Sequence, residues 1–153
     1  MSTAPERIRP APPPEVRGLA GEARATTNRV ARTFSLACRL LPRAVRDDVY
    51  LLYLVFRTLD DLVDEERPEA GERVDAVDAW ARGEDAPATR EVAVLDDLAA
   101  RHPLPRAAMA DFCEGMRWDL ERREFATEEE LDAYCYRVAG TVGIVMAAVP
   151  ATR

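Results

Sequence analysis

One arginine and three aspartates close the most apolar stretch of this chain, Leu51-Leu52-Tyr53-Leu54-Val55-Phe56-Arg57-Thr58-Leu59-Asp60-Asp61-Leu62-Val63-Asp64-Glu65. At about 100° per residue, Asp60 and Asp64 share one helical face roughly 6 Å apart along the axis. Arg57 lies one turn upstream on the same side, and Asp61 points elsewhere. Like charges at that spacing oppose each other by roughly 0.2–0.5 kcal/mol, and Asp64, Glu65 and Glu66 also lie near the negative end of the helix dipole. A helix alone gains nothing from this arrangement. A hard divalent cation reverses the sign, because Mg²⁺ takes oxygen ligands and commonly sits between one or two carboxylates and a substrate phosphate. The plainer alternative is a solvated acidic helix end whose charge is offset by Arg57 and Arg67. The acidic run by itself leaves both readings open.

Composition narrows the choice. With 153 residues, 48% hydrophobic and 32% charged, the chain has room for one compact soluble domain and is too charged to be embedded in a bilayer. A formal charge of −7 and the lack of a basic run argue against nucleic-acid binding. All 21 basic residues are arginine, which together with abundant Ala and Pro indicates a GC-rich coding bias. Cys38, Cys113 and Cys135 form no CxxC pair, and His102, beside Pro103 in a predicted loop, is the sole histidine, so no zinc site is legible. Unpaired thiols, no apolar signal segment and no run near the ~20 residues of a spanning helix predict a cytoplasmic protein.

Around the acidic stretch the pattern is helical. Residues 1–18, with Pro5, Pro10, Pro12, Pro13 and Pro14, read as a disordered proline-rich arm, and 19–153 as the folded part. Val30, Phe34, Ala37, Cys38 and Leu41 predict one amphipathic helix over about 22–41. A second, over about 42–66, carries Pro42 in its first turn. Val74, Val77 and Trp80 suggest a short peripheral helix closed by Gly83, and Val92, Leu95 and Leu98 another over 89–100. The His102-Pro103-Leu104-Pro105 break precedes a helix over 106–123, in which Asp119 lies three residues beyond Met116 and approaches the same interior. Thr127 and Glu130 form a capping-box pattern for a last helix over 128–149. Gly140 and Gly143 interrupt that helix at a cost of about 0.8–1 kcal/mol each relative to alanine. They admit either a neighbouring helix or a long ligand.

Three separate stretches in this order resemble the front half of the squalene/phytoene synthase family of head-to-head prenyltransferases. They are Arg32-Thr33-Phe34-Ser35 with Leu40-Leu41-Pro42, Tyr53 through Asp64 with its DDxxD, and Gly115-Met116-Arg117-Trp118-Asp119-Leu120 leading to Tyr134-Cys135-Tyr136-Arg137-Val138-Ala139-Gly140-Thr141-Val142-Gly143. The resemblance implies an all-α isoprenoid-synthase-like helical bundle with an apolar cavity and Mg²⁺-bound diphosphate at its mouth. It implies Asp60, Asp61 and Asp64 as metal ligands, and Arg57, Asp60, Asp64 and Tyr134 as the catalytic set. Thr33, Phe34, Tyr53, Arg57, Tyr134, Val138, Ala139, Val142, Gly143 and Met146 would contact substrate. The implied reaction joins two farnesyl or geranylgeranyl diphosphates through a cyclopropylcarbinyl diphosphate to phytoene, or to squalene if NADPH is used, in carotenoid or triterpenoid biosynthesis. Peripheral membrane contact follows from substrates of that kind.

The sequence stops at Val149-Pro150-Ala151-Thr152-Arg153, ahead of the second aspartate-rich helix of that family. The expectation is therefore a truncated N-terminal portion with little turnover by itself, which self-associates or pairs with a complementary C-terminal half. A fragment of a DDxxD terpene cyclase and a noncatalytic helical interaction module are the other readings. The GTVG stretch argues against the first; stable folding without Mg²⁺ or a partner would favour the second.

Overall fold

The computed structural model describes residues 13–150, and among them every regular element is helical. In chain order these are α1 (Pro14–Arg17), α2 (Leu19–Val30), α3 (Arg32–Cys38), α4 (Arg43–Asp64), α5 (Ala70–Arg82), α6 (Arg90–Ala99), α7 (Arg106–Leu120), α8 (Glu128–Cys135), a π-helical turn (Tyr136–Gly140) and α9 (Thr141–Ala147). Of the expected disordered arm, residues 1–12 lie outside the described residues. Its last part is ordered instead: α1 docks on α6 and α2 with Val16 buried. No described helix is long and apolar enough to cross a membrane.

α4 is the axis of the bundle. Pro42, at φ −54° and ψ 145°, leads into it without a side-chain cap, and Leu52, Val55, Phe56 and Leu59 are buried along its length. Phe56 meets Phe112 of α7 edge-on at 4.8 Å, the offset geometry that aromatic quadrupoles favour. α2, α5, α6, α7 and α9 all pack against α4.

The helix expected over 22–41 is two helices, broken at Ala31 (φ −130°, ψ 63°). No proline or glycine marks this break. Thr27, fully buried, donates its hydroxyl to the Ala23 carbonyl at 2.8 Å, a back-bond that bends helices. Ser35 donates to Asn28 across the kink. α5, expected to be peripheral, is a core element: Val74 and Val77 are buried against α7 and Trp80 is buried. The Trp80 indole N–H donates to Asp96 at 2.6 Å, and the Arg106 guanidinium lies 3.9 Å from its ring centre. Its polar composition hid how much of it is buried, since Ala70, Ala76 and Ala81 are buried along with the larger apolar residues. Gly83, at φ +73°, ends the helix in the left-handed conformation as expected.

His102 lies in the expected loop between α6 and α7, and it is buried there. It is 3% exposed, with Nε2 2.7 Å from Asp48, whose other oxygen accepts from Arg101 at 2.9 Å. Arg101 also donates to Asp97 at 2.7 and 2.8 Å. This buried network ties the start of α4 to the end of α6.

The expected single helix over 128–149 is divided into α8, the π turn and α9. Thr127 caps α8 by accepting from the Glu130 amide at 3.2 Å, while the Glu130 carboxylate reaches back to the Ala126 amide at 2.8 Å. The π turn has a steric cause in Gly115. A Cβ there would meet the Arg137 Cβ at 2.9 Å, Val138 Cγ1 at 3.0 Å and the Arg137 carbonyl carbon at 3.3 Å. Only glycine lets α7 and the last helix approach this closely. The wide turn carries the backbone past that contact, and the Thr141 hydroxyl donates back to the Arg137 carbonyl at 2.6 Å.

Candidate active site

The C-terminal turns of α4 and α7 converge, and their last residues form one cleft of about 420 Å³ lined by Val63, Asp64 and Glu66 on one side and Asp119, Leu120 and Arg122 on the other. Both helices end on a non-glycine residue at positive φ, Glu66 at +52° and Arg122 at +50°. In each case the following amide returns to a carbonyl of the last turn, Arg67 to Leu62 at 2.9 Å and Arg123 to Trp118 at 3.0 Å. Glu66 and Arg122 form an ion pair across the rim.

The aspartates of α4 do not behave alike. Arg57 lies 2.6 Å from Asp61 and 3.5 Å from Asp60, so Asp61, which helical geometry turned away from the arginine, is its nearer partner. A long guanidinium stem reaches both the i+3 and i+4 positions. Burial raises the Asp60 carboxyl above the ordinary aspartate range. The Asp64 charge adds to this, Arg57 opposes it, and Asp61 and Asp119 contribute further. Asp64 and Asp119 thus add negative charge at Asp60 that Arg57 offsets only in part, as the spacing of Asp60 and Asp64 implied.

Asp119 is the residue that sequence reasoning left out of the site. Tyr134 donates its hydroxyl to Asp119 at 2.7 Å. Burial first, then that hydrogen bond and the charges of Asp119, Asp60 and Asp64, push the phenol well above its usual range, so it stays a neutral donor. The Tyr134 ring lies 4.8 Å from Phe125, which lies 6.1 Å from Trp118. Arg123 and Arg137 stack on the Trp118 ring at 4.1 and 4.4 Å. The position of Asp119 three residues beyond Met116 was the available signal. Phe125, in the connection to α8, carried none.

Farther along α4, Phe34 and Tyr53 pair at 5.4 Å and continue the site away from the carboxylates. Thr33 is exposed at the start of α3. Val138, Val142 and Met146 are half-buried against the core, whereas Ala139 and Gly143 are exposed. Among the described residues this face is an open wall and not a closed tunnel. Nothing lies within 4 Å of a Cβ built on Gly143. Packing therefore does not require this glycine, and Gly115 is the one that meets a neighbouring helix. Gly143→Leu is expected to leave the melting temperature within about 1 °C, the range of a surface substitution. It is also expected to weaken binding of a long-chain prenyl diphosphate analogue several-fold and of inorganic diphosphate not at all, as read by titration calorimetry. Equal loss of both ligands would remove Gly143 from the chain-binding wall.

No group of three or more Asp, Glu, His or Cys side chains among the described residues is arranged to hold a metal by itself. The expected trio Asp60, Asp61 and Asp64 is not such a group, because Arg57 takes Asp61. The remaining donors, Asp60 and Asp64 with Asp119 nearby, are all hard oxygens. Such a set suits Mg²⁺ with the rest of its shell from water and phosphate. The Arg57 Nε–H is buried beside them without a hydrogen-bond partner.

A family model described as squalene/phytoene synthase matches residues 27–153. The 15-cis-phytoene synthase of Synechococcus elongatus is 40% identical over 131 residues, covering 81% of this chain and 42% of that protein. That of Paracoccus sp. is 37% identical over 136 residues, covering 80% and 44%. The chain spans about two fifths of the length of these curated relatives. A crystal structure of a dehydrosqualene synthase in complex with ligand superposes with a TM-score of 0.74 at 26% identity, covering 88% of this chain and 48% of that one.

Proposed function

From the premise that the chain belongs to the squalene/phytoene synthase family, we propose that it forms the diphosphate-holding wall of a head-to-head prenyltransferase of the phytoene synthase type, acting in carotenoid biosynthesis. The product class follows the names of the relatives, which are phytoene synthases. The observation that carries the reading is the junction of α4 and α7. There Arg57 pairs with Asp60 and Asp61, while Asp64 and Asp119 bring further negative charge to Asp60.

In this reading Asp60 and Asp64 would hold Mg²⁺, which when bound would neutralise the diphosphate as it leaves the allylic carbon. Arg57, held between Asp60 and Asp61, keeps its positive charge beside the diphosphate. Tyr134, fixed by Asp119, keeps its proton and presents a ring face that favours positive charge on the allylic fragment. Phe34 and Tyr53 line the path of the prenyl chain and exclude water from it. The allylic cation of one molecule is then attacked by the double bond of the second, and the new cation closes the three-membered ring by losing one proton to the released diphosphate, giving the cyclopropylcarbinyl diphosphate. No reductant is needed if phytoene is formed, and NADPH only if the product is squalene.

The same reading places the protein in the cytoplasm, where the thiols of Cys38, Cys113 and Cys135 stay reduced, and in peripheral contact with membrane. It gives the protein self-association or a complementary half as a partner. Exposed Leu131, Tyr136 and Ile144 on α8, the π turn and α9 support that assignment. Calorimetric titration with a nonreactive geranylgeranyl diphosphate analogue tests the central claim. Binding is expected with Mg²⁺ and at least tenfold weaker without it; binding indifferent to Mg²⁺ would favour the noncatalytic helical module.

A further inference from the structure

At the end of α4 opposite the carboxylates, the α2–α3–α4 corner combines two features that the diphosphate site does not use. The first is apolar. Leu36 and Leu40 are 63% and 89% exposed, far more than the other leucines of the core helices. The second is basic. A cleft of about 540 Å³ is lined by Arg24, Arg39, Arg43 and Arg46 with one carboxylate, Asp47, and with Asn28 and Tyr50. Arg24 is taken by Asp47 at 3.0 Å, and Arg46 is spent partly on the Arg39 and Leu41 carbonyls at 2.9 and 3.0 Å, although its buried Nε has no partner. Among the described residues no carboxylate pairs with Arg29, Arg32, Arg39 or Arg43. In a chain of net charge −7, this is a concentration of unneutralised positive charge around two bare leucines.

We propose that this corner is a membrane-docking surface, with the arginines on the phosphates of anionic lipid head groups and Leu36 and Leu40 in the acyl boundary. Charge complementarity selects that occupant. Arginines flanking exposed leucines match the interfacial pattern, in which basic residues meet anionic lipid while apolar side chains enter the boundary layer. The proposal rests on the reading above in one respect, the direction of the substrate. α4 has 22 residues and is therefore about 33 Å long. With diphosphate at its C-terminal end, the prenyl tail runs past Tyr53 and Phe34 toward the docking corner. The hydrocarbon end of substrate and product would lie on the membrane side, and the charged end in water.

Co-sedimentation of the chain with vesicles tests this. Binding is expected to vesicles of phosphatidylcholine mixed with phosphatidylglycerol and not to phosphatidylcholine alone, and to weaken as salt is raised. The double variant Arg39→Gln/Arg43→Gln is expected to lose about 30-fold, at about fivefold per arginine near an anionic surface. Leu36→Ser/Leu40→Ser is expected to lose tenfold or more on the same vesicles, with unchanged helix content by circular dichroism in both variants. Mg²⁺-dependent binding of the prenyl diphosphate analogue should persist in both, which separates loss of docking from failure of the catalytic reading. Equal affinity for neutral vesicles, no vesicle binding, or unchanged binding in both double variants would overturn the proposal. So would a shift from dimer to monomer in the leucine variant with vesicle binding intact, since that would identify a contact between copies.

Discussion

Asp60→Asn and Asp64→Asn should each weaken Mg²⁺-dependent binding of a nonreactive prenyl diphosphate analogue by more than the 10–100-fold that loss of an outer-sphere partner typically costs, while leaving the fold as stable as before or more so. The two halves of this expectation have one cause. The folded-state pKa of Asp60 is raised, chiefly by burial and by Asp64, so the native chain binds more protons than the unfolded chain just above the ordinary aspartate range. Stability contributed by this group therefore falls as pH rises through that window, and at neutral pH the charged form works against folding. Asparagine removes the penalty and the metal ligand together. Binding by the native protein should also fade on acidification at a higher pH than a free aspartate would dictate, because the proton and the cation compete for the same oxygen. Calorimetry and thermal unfolding on the same samples check both. A variant that unfolds several degrees lower, or that binds the analogue normally with Mg²⁺, would show that these carboxylates are structural.

Arg101→Met is expected to produce the largest loss of stability. Arg101 is 10% exposed and donates to Asp48 and Asp97, which are themselves 8% and 6% exposed. Removing the guanidinium leaves two carboxylates buried without it. Asp48 keeps His102, so the uncompensated charge falls on Asp97, and breaking a buried pair in this way costs about 3–5 kcal/mol, or roughly 10 °C in melting temperature for a domain of this size. The deficit should shrink at low pH, where the stranded carboxylates take up protons instead of staying charged. His102 does not replace the arginine at Asp97: its Nε2 lies on Asp48, while Asp97 takes its hydrogen bonds from Arg101. A fall of under 1 °C, or a deficit that does not change with pH, would show that the network is solvated and contributes little.

The two interactions were legible in the sequence to different degrees. α4 was plain, because its apolar positions, Pro42 and the acidic terminus all signal the same element locally. So were Thr127 as a cap and Gly83 as a stop, each a short-range rule. The break at Ala31 was not, since its cause is a hydroxyl back-bond from Thr27 and a bridge between Asn28 and Ser35 that form only in the folded chain. The π turn was equally hidden, because it answers a contact between Gly115 and Arg137 that are 22 positions apart in the numbering. The same limit applies at the site. Arg57, Asp60 and Asp64 could be placed on one helix by arithmetic, but which aspartate the arginine prefers and which residue steadies Tyr134 depend on rotamers and on a second helix.

Glu66 and Arg122 give the cleft a mechanical character. Each holds a left-handed backbone that glycine would adopt at roughly 1 kcal/mol less cost, and each contributes a side chain to the ion pair across the rim. That pair is more than two thirds exposed on both sides and so adds little to stability. The last turns of α4 and α7 are thus the least favourably wound part of two otherwise well-packed helices, and their amides should be the first in those helices to exchange with deuterated solvent. Fraying there would open the mouth of the cleft by a turn while the α5–α7 and α4–α7 contacts stay closed, so the protein can breathe at its charged end without loosening its core.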